Sequence, residues 1–244
     1  MWNNKKVSVI FPTYNEKDSM FDSIEDFFSS GFVDEIVVVN NNAAEGTDEE
    51  VKRTKARLVY EKKQGYGYAI WKGLEEATGD YLIISEPDST FSGRDVIKLL
   101  AYSDDFDYVL GTRTTRELIW EGANMGAFLK WGNWAVAKMM EILYNTTTLT
   151  DVGCTMRLLK RETYLRVRHA FTIGTQHFGP QLTILCTKAG IRLIEIPVNY
   201  RPRVGHSSVT GSLKKSLVLG FKMIALILLY RFKKIHFPSI DKKV

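Results

Sequence analysis

The sequence predicts an α/β fold in which helices flank a doubly wound, mainly parallel sheet. Short β-rich runs alternate with segments of helical periodicity through the first 110 residues, which is the pattern of consecutive β–α–β units. The run at residues 35–39 is apolar enough to be buried on both faces, as strands of parallel sheets are. With 45% hydrophobic residues among 244, the chain is large enough for a substantial core.

The individual elements follow from local patterns. Strands are predicted where β-branched and apolar residues run together, at 7–11, 35–39, 57–60, 81–84, 108–110, 156–159 and 192–196. Helices are predicted from helical apolar spacing or capping signals, at 18–29, from 47 onward, and at 66–77, 93–102, 123–143, 178–189 and 213–232. No segment rich in Pro, Gly or Ser cuts the chain, so we expect one domain over residues 1–211 and a basic amphipathic helix over 212–244.

Charge is distributed unevenly along the chain. Residues 201–244 carry ten Lys or Arg residues and one acid, Asp241, whereas residues 1–200 are slightly acidic. Such a block favours contact with substrate phosphates, lipid head groups or nucleic acid, or else forms a solvated basic tail. The two cysteines, Cys154 and Cys186, form no disulfide framework. The N-terminus does not resemble a signal peptide, so we expect a reducing, cytoplasmic location.

Polar loops follow the strands at the edge where a parallel sheet binds its ligands. Glu86, Pro87 and Asp88 come directly after the fourth strand. Two carboxylates spaced in this way can hold a hard divalent cation such as Mg²⁺ or Mn²⁺, whose charge can neutralise a departing diphosphate. The alternative interpretation of the same three residues is an acidic turn that ends the strand and binds no metal.

Three further segments contain residue types that bind anions or move protons. Gln64, Gly65 and Gly67 open a helix, and glycine lets the backbone approach a phosphate at a helix N-terminus. Asp151 ends a Thr-rich loop, where an aspartate can act as a general base or cap a turn. The loop at 201–208 holds two arginines, an imidazole and two hydroxyls, and arginine binds phosphate in bidentate fashion. No aromatic residues interleave with these charges, so we expect no nucleic-acid partner.

Taken together, these stretches resemble glycosyltransferase family 2, and within it the polyprenyl-phosphate (dolichol-phosphate mannose synthase-like) sugar transferases. The matching stretches run in the family's order, at 7–16, 35–47, 64–88, 111–113, 151–157 and 195–208. Each is short, but the ordered set is specific. The resemblance implies a GT-A fold, a nucleotide diphosphate sugar as donor, inversion at the sugar, and Mg²⁺ or Mn²⁺ as cofactor.

The resemblance also implies roles for individual residues. Asp88 and Glu86 match the family's metal-binding acids, and Asp151 matches its candidate base beside the acceptor. Contacts to the nucleotide sugar are implied for Pro12, Tyr14, Glu16, Asn41, Gln64, Gly65, Gly67 and Pro87. Contacts to donor or acceptor phosphates are implied for Arg113, Arg157, Arg201, Arg203 and Ser207.

Two positions depart from the family's pattern. The family commonly has Asp-Asp-Gly-Ser after the second strand, whereas this chain has Asn-Asn-Asn-Ala at residues 40–43. Asparagine hydrogen-bonds a base or ribose as donor and as acceptor, but the exchange removes negative charge. Glu86 stands where the family usually has aspartate, and its additional methylene shifts the carboxylate, which makes Asp88 the stronger metal candidate.

The predicted C-terminal helix indicates whether the acceptor of the sugar lies at a membrane. Residues 216–230 contain one charge, Lys222, and a helix of that length extends about 22 Å, short of the roughly 30 Å hydrocarbon core. Cations flank this run on both sides, which favours a helix lying in the interface of an anionic membrane. Packing on the domain or on a partner chain is the alternative. We therefore expect a peripheral protein on the cytoplasmic face of a membrane.

The predicted function is transfer of a sugar from a nucleotide diphosphate sugar to a polyprenyl phosphate, such as dolichyl or undecaprenyl phosphate. A family 2 transferase acting on a growing glycan or a protein is an alternative with the same chemistry. A sugar-phosphate nucleotidyltransferase usually carries a Gly- and Arg-rich loop after its first strand, where this chain reads PTYNE. A non-catalytic binding module is disfavoured by the two acids and Asp151.

Overall fold

The predicted alternation of strands and helices is confirmed by a computed structural model, which describes residues 1–123, 127–205 and 213–238. In these ranges the strands are β1 (Val7–Thr13), β2 (Glu35–Asn40), β3 (Arg57–Tyr60), β4 (Tyr81–Ile84), β5 (Tyr108–Thr112), β6 (Arg157–Lys160) and β7 (Leu193–Pro197). The α-helices are α1 (Lys17–Ser29), α2 (Thr47–Lys52), α3 (Tyr66–Glu76), α4 (Val96–Tyr102), α5 (Ala127–Tyr144), α6 (Arg161–Val167), α7 (Phe178–Lys188) and α8 (Leu213–Phe232).

The strands form one mixed, mostly parallel sheet in the order β3-β2-β1-β4-β6-β5-β7. All neighbouring pairs are parallel except those of β6, which runs antiparallel to β4 and to β5. An antiparallel strand begins at the edge where its neighbours end. The reversal therefore brings the loop that precedes β6, which contains Asp151, to the ligand-binding edge of the sheet.

The two faces of the sheet are both covered. Val9 and Ile10 are adjacent in β1 and completely buried, and they belong to different core clusters, because successive side chains of a strand point to opposite faces. One cluster includes residues of α1 and α4, and the other includes residues of α3, α5, α7 and α8. The predicted α/β class is confirmed.

Several bounds differ by a few residues from the sequence prediction, and two differences have a clear physical reason. Strand β1 continues through Pro12 to Thr13, because beyond Ile10 it pairs only with β2 and a residue without an N–H is tolerated on an unpaired side. Helix α6 was not predicted, since charged residues interrupt its apolar spacing, although Tyr164 and Val167 are buried.

Helix α8 packs against α5 and α7. Met223, Leu226, Ile227 and Tyr230 are buried in the same cluster as the core of the sheet. A second apolar stripe on α8 is exposed: Val218, Phe221, Ala225, Leu229 and Phe232. Among the described residues, no helix combines the length and apolar character that crossing a bilayer requires. The predicted boundary between a domain over residues 1–211 and a C-terminal element over 212–244 stays a prediction.

Candidate active site

A large cavity lies at the carboxyl ends of β1, β2 and β4, where the sequence predicts ligand binding. It measures about 1040 Å³ and extends to the space between α5, α7 and α8. The predicted site residues that line it are Pro12, Tyr14, Glu16, Asn41, Gln64, Gly65, Glu86, Arg113, Arg157 and Arg203. Those that do not line it are Gly67, Pro87, Asp88, Asp151 and Arg201. Ser207 lies outside the described residues, as do its neighbours His206 and Ser208.

Glu86 and Asp88 converge on one guanidinium. Nη2 of Arg203 lies 3.0 Å from Oε2 of Glu86 and forms an ion pair with Oδ2 of Asp88. Nη1 of Arg203 lies 3.9 Å from Oε1 of Glu16. Asp88 is fully buried, and its Oδ1 accepts from the backbone N–H (2.9 Å) and the hydroxyl (2.5 Å) of Thr90. The two predicted metal ligands are thus held by a positive side chain.

The same geometry tests whether these acids suit Mg²⁺ or Mn²⁺. One nitrogen of Arg203 contacts an oxygen of each carboxylate, so the two oxygens converge on a point that already holds positive charge. Proteins typically supply one or two carboxylates to Mg²⁺, while substrate phosphates and water fill its other positions. In the described part of the chain, no group of three or more His, Cys, Asp or Glu side chains is arranged for a metal. The pair therefore fits a cation that a phosphate ligand helps to hold.

Burial changes the protonation of the acid site. Burial and the neighbouring carboxylate of Asp88 raise the pKa of Glu86 to about 8. Tyr66, in the first turn of α3, lines the same cavity, and burial and the charge of Glu86 raise its pKa well above the usual value. Negative charge is therefore costly at this position unless a cation accompanies it.

The hydrogen bonds of Asn41 explain why an asparagine stands at a position where the family usually has an acid. Its Nδ2 donates to the carbonyls of Glu61 (2.7 Å) and Lys63 (2.9 Å). Its Oδ1 accepts from the backbone N–H of Gly65 (2.8 Å) and from Gln64 (3.2 Å). A carboxylate only accepts hydrogen bonds and cannot make the two donations. Asn41 therefore fixes the loop that leads into α3 and forms a wall of the cavity.

Glu16 fixes the loop between β1 and α1. Its Oε2 accepts from the backbone N–H groups of Tyr14 (2.7 Å) and Asn15 (2.9 Å) and from the hydroxyl of Thr13 (3.1 Å). The ring of Tyr14 stays exposed at the mouth of the cavity. This loop thus presents an aromatic face whose backbone is held by an internal carboxylate.

Asp151 is held in a buried ion pair. Nε of Arg113 donates to one carboxylate oxygen at 2.7 Å and Nη2 donates to the other at 2.9 Å, while the backbone N–H of Arg113 adds a bond of 3.0 Å. Burial opposes ionisation of Asp151, but these contacts outweigh it and lower its pKa. A carboxylate stabilised in this way is a weak base. Arg113 lines the cavity, so it is the member of the pair that a ligand can reach.

Glu195 on β7 fixes the segment that carries Asp151, and the sequence did not single it out as a site residue. Its Oε1 accepts from the backbone N–H of Asp151 at 2.8 Å. Its Oε2 accepts from the backbone N–H (2.5 Å) and the hydroxyl (2.9 Å) of Thr150. Burial raises the pKa of Glu195 to about 7. Glu195 lies in one of the stretches that resemble the family, 195–208, and this was the sequence signal that could have identified it. Its hydrogen-bond partners are determined by the tertiary fold and could not be read from the sequence.

Arg157, at the start of β6, is a buried cation that lines the cavity. It donates to the hydroxyl of Tyr108 (2.9 Å), to the carbonyl of Gly179 (2.9 Å) and to the carbonyl of Cys154. Within the described ranges it has no carboxylate partner, and its acceptors are all neutral. Burying such a charge is costly, so an anion in the cavity would be stabilised here.

Three residues with predicted ligand contacts also have contacts within the protein. Arg201 lies 3.6 Å from Asp26 and donates to a serine hydroxyl before α4. A side chain on Gly67 would collide with the backbone of residues 173–174, so this glycine permits close packing of α3. The carbonyl of Pro87 accepts from a serine of α1 at 2.6 Å. The ligand roles of the site residues stay predictions.

The comparisons with known proteins agree with this architecture. The sequence profile of Glycosyl transferase family 2 matches residues 8–167, and the chain belongs to this family. Glycosyltransferase AglJ of Haloferax volcanii is 26% identical over 201 residues, which cover 81% of this chain and 63% of AglJ. A dolichyl-phosphate hexose transferase of the same organism is 25% identical over 207 residues, which cover 83% of this chain and 86% of that one.

Solved structures confirm the fold. Glucosyl-3-phosphoglycerate synthase from Mycobacterium tuberculosis, crystallised with Mn²⁺, UDP and phosphoglyceric acid, aligns with a TM-score of 0.74 at 15% identity, over 95% of this chain and 80% of that one. The predicted GT-A architecture is therefore confirmed. The chain spans less than two thirds of the length of AglJ, namely 63%.

Proposed function

We propose that this chain transfers a sugar, with inversion, from a nucleotide diphosphate sugar to a lipid-linked phosphate of the polyprenyl type, and that it uses Mg²⁺ or Mn²⁺. The observation that carries the proposal is one cavity with two unlike ends. The end at the strands is lined by charged side chains, including Glu16, Glu86, Arg113 and Arg203. The end at the helices is lined by apolar side chains, including Val136, Leu182, Leu219, Phe221, Met223 and Ile224.

The charged end suits the donor. Asp88 and Glu86 would hold a divalent cation, whose charge offsets the charge that develops on the departing nucleotide diphosphate. Asn41 and Glu16 stiffen the two loops at this end, so the donor would meet preformed walls. Membership of glycosyl transferase family 2 supports a nucleotide sugar as that donor.

Two arginines suit the phosphate of the acceptor. Arg157 is buried and, among the residues that the structure describes, donates to neutral acceptors, and Arg113 is held in place by Asp151. A phosphomonoester has a second pKa of about 6, so it is largely ionised near neutral pH and needs no strong base to make it a nucleophile. The lowered pKa of Asp151 is compatible with that acceptor. In this proposal Asp151 is a positioning residue that orients Arg113.

The apolar end and the outer surface of α8 suit a lipid chain. Phe221 lines the cavity and is also exposed in the apolar stripe of α8, so the stripe reaches the cavity mouth. Cations are exposed along and beyond this helix: Lys214, Lys222, Arg231, Lys233 and Lys234. This combination favours peripheral contact with an anionic membrane. The dolichyl-phosphate hexose transferase among the relatives supports the same class of acceptor.

The test is a panel of UDP-, GDP- and dTDP-sugars with Mn²⁺, scored for nucleotide release with and without a short polyprenyl phosphate. We expect release from one donor to rise strongly when the lipid phosphate is added, and the labelled sugar to partition into organic solvent. Parallel reactions contain phosphoglyceric acid or an oligosaccharide in place of the lipid phosphate. Sugar transfer to either of these, and none to the lipid phosphate, would refute the acceptor class. Absence of nucleotide release from every donor would refute the transferase activity.

A further inference from the structure

We propose that Arg203 is the counter-ion of Glu86 and Asp88 when no metal is bound and excludes free divalent cations from them, so that metal binds appreciably only together with a nucleotide diphosphate. The proposal rests on the function proposed above for its second ligand, the nucleotide. Its structural basis is the meeting of Glu16, Glu86 and Asp88 around one guanidinium.

The guanidinium and a metal compete for the same atoms. Nη2 of Arg203 contacts Oε2 of Glu86 and Oδ2 of Asp88. Mg²⁺ requires its oxygen ligands at about 2.0–2.1 Å, so a cation bound to both oxygens would take the space of this nitrogen and repel its charge. Asp88 is fully buried, so water screens this repulsion poorly. The two positive groups therefore exclude one another.

A diphosphate offers Arg203 another partner. Guanidinium groups bind phosphate oxygens in bidentate fashion, and Arg203 lines the cavity in which the diphosphate would lie. The backbone beside it is tied to the acid turn, because the N–H of Val204 donates to the carbonyl of Asp88 at 3.0 Å and that of Arg201 donates to Thr90 at 2.8 Å. The backbone beside Arg203 is thus held in place, and in this proposal the side chain alone rotates to exchange the carboxylates for phosphate.

Because Arg203 exchanges the carboxylates for phosphate, the binding of metal and the binding of the nucleotide diphosphate are coupled. Free metal must displace Arg203 from Glu86 and Asp88, which leaves it the longer 3.9 Å contact with Glu16, whereas metal that arrives with a diphosphate supplies a further anion. The affinity for each ligand should therefore depend on the presence of the other, and this coupling is reciprocal. Removing the guanidinium should strengthen the binding of metal alone and weaken the coupling.

The experiment measures free Mn²⁺ by its electron paramagnetic resonance signal during titration of the full chain without nucleotide. We expect Arg203→Gln to bind Mn²⁺ about tenfold or more tightly than the wild type, as close charge pairs are coupled by at least this much. Arg192→Gln is the matched control, because Arg192 is 65% exposed and its nearest acid, Asp107, is 3.7 Å away at the other end of the sheet. This control should bind Mn²⁺ as the wild type does. The gain in Mn²⁺ affinity should disappear in the double variant Arg203→Gln/Asp88→Asn, which lacks the buried carboxylate of Asp88.

Equal or weaker Mn²⁺ binding by a folded Arg203→Gln variant would overturn the proposal, as would a gain that persists when Asp88 is also replaced. If Arg203→Gln does not fold, Arg203→Lys takes its place: an ammonium cannot contact Glu86 and Asp88 through one nitrogen while a second nitrogen faces Glu16, so a smaller gain is expected and no gain is contradictory. The titrations are repeated with UDP and GDP. Failure of the wild type to bind either nucleotide with Mn²⁺ would count against the proposed function, whereas the comparison with Mn²⁺ alone decides the role of Arg203.

Discussion

The side chain of Asp151 is fully buried and that of Arg113 is 12% exposed, and each neutralises the charge of the other. Asp151→Asn would leave the guanidinium buried without its counter-charge, and breaking such pairs costs about 3–5 kcal/mol. We expect this loss in the free energy of unfolding measured with urea. We also expect most turnover to disappear while nucleotide affinity stays nearly unchanged, since Asp151 does not line the cavity.

The control is a double-mutant cycle. Arg113→Gln together with Asp151→Asn removes both charges, so the double variant should be less destabilised than the sum of the two single variants. Additive losses would show that the two side chains contribute independently, which the bidentate geometry at 2.7 and 2.9 Å does not allow.

Glu195 makes the stability of the site depend on pH. Its pKa is raised from 4.5 to about 7 in the folded protein, so the folded state binds the proton more tightly than the unfolded state. The stabilisation from this group is therefore fully present below pH 4.5 and is lost as pH rises through about 7. Its upper limit is about 3 kcal/mol.

The measurement compares urea unfolding of the wild type and Glu195→Gln at pH 5 and pH 8. Glutamine stays neutral at both values, so the decrease in stability between them should be smaller in the variant. At pH 5 the variant should be only modestly less stable, because one amide end cannot accept from the N–H of Asp151 as Oε1 does. An identical pH dependence in both proteins would contradict the assignment.

At the scale of elements, the first turn of α3 is positioned by the absence of a side chain at Gly67. A Cβ at this position would collide with the carbonyl of Ile173 and the backbone of Gly174. We expect Gly67→Ala to lower the free energy of unfolding by about 1–3 kcal/mol, because the backbone must shift. Gly132→Ala in α5 is the control, since nothing lies within 4 Å of the added Cβ. Alanine should stabilise that helix by about 0.5–1 kcal/mol. In the same assay, the free energy of unfolding should therefore decrease in Gly67→Ala and increase in Gly132→Ala.

The elements themselves were predictable because their signals are local. The apolar run of β2 and the apolar spacing of α3 are written in consecutive residues, and both elements form where the sequence predicts them. The reversal of β6 was not predictable, because strand direction depends on pairing with β4 and β5. That reversal determines where Asp151 lies.

The candidate site shows the same limit. Glu86 and Asp88 could be singled out because two acids follow a strand, and Arg203 because it lies in a basic loop. That Arg203 binds Glu86 could not be predicted, since the two residues are 117 positions apart. The burial that raises the pKa of Glu86 to about 8 also arises only in the folded chain. Asn41 was read as a departure from the family, and the structure shows that its amide meets two carbonyls.

At the scale of the whole molecule, α8 has two apolar faces. One face is buried against α5 and α7, and the other exposes Phe221, Leu229 and Phe232 beside several cations. The two alternatives from the sequence, a helix packed on the domain and a helix in a membrane interface, are therefore compatible. A helix packed on one face can still bury its other face in lipid.

This arrangement predicts binding to anionic liposomes in a flotation assay. Leu229 is 70% exposed and Phe232 is 84% exposed, and burying each such side chain is worth about 1.5–3 kcal/mol. Leu229→Glu/Phe232→Glu should therefore lower the membrane partition coefficient about a hundredfold or more. Added salt should weaken wild-type binding, because the flanking cations act through a screened potential.

Ile97→Glu is the matched control, since Ile97 is exposed on α4, and α4 packs on the opposite face of the sheet from α8. This variant should float as the wild type does if α8 is the contact surface. Equal flotation of the double variant and the wild type would show that the exposed stripe of α8 does not meet the bilayer. Because Phe221 connects that stripe to the cavity, such a result would also remove the route by which a lipid acceptor reaches Arg157 and the acid pair.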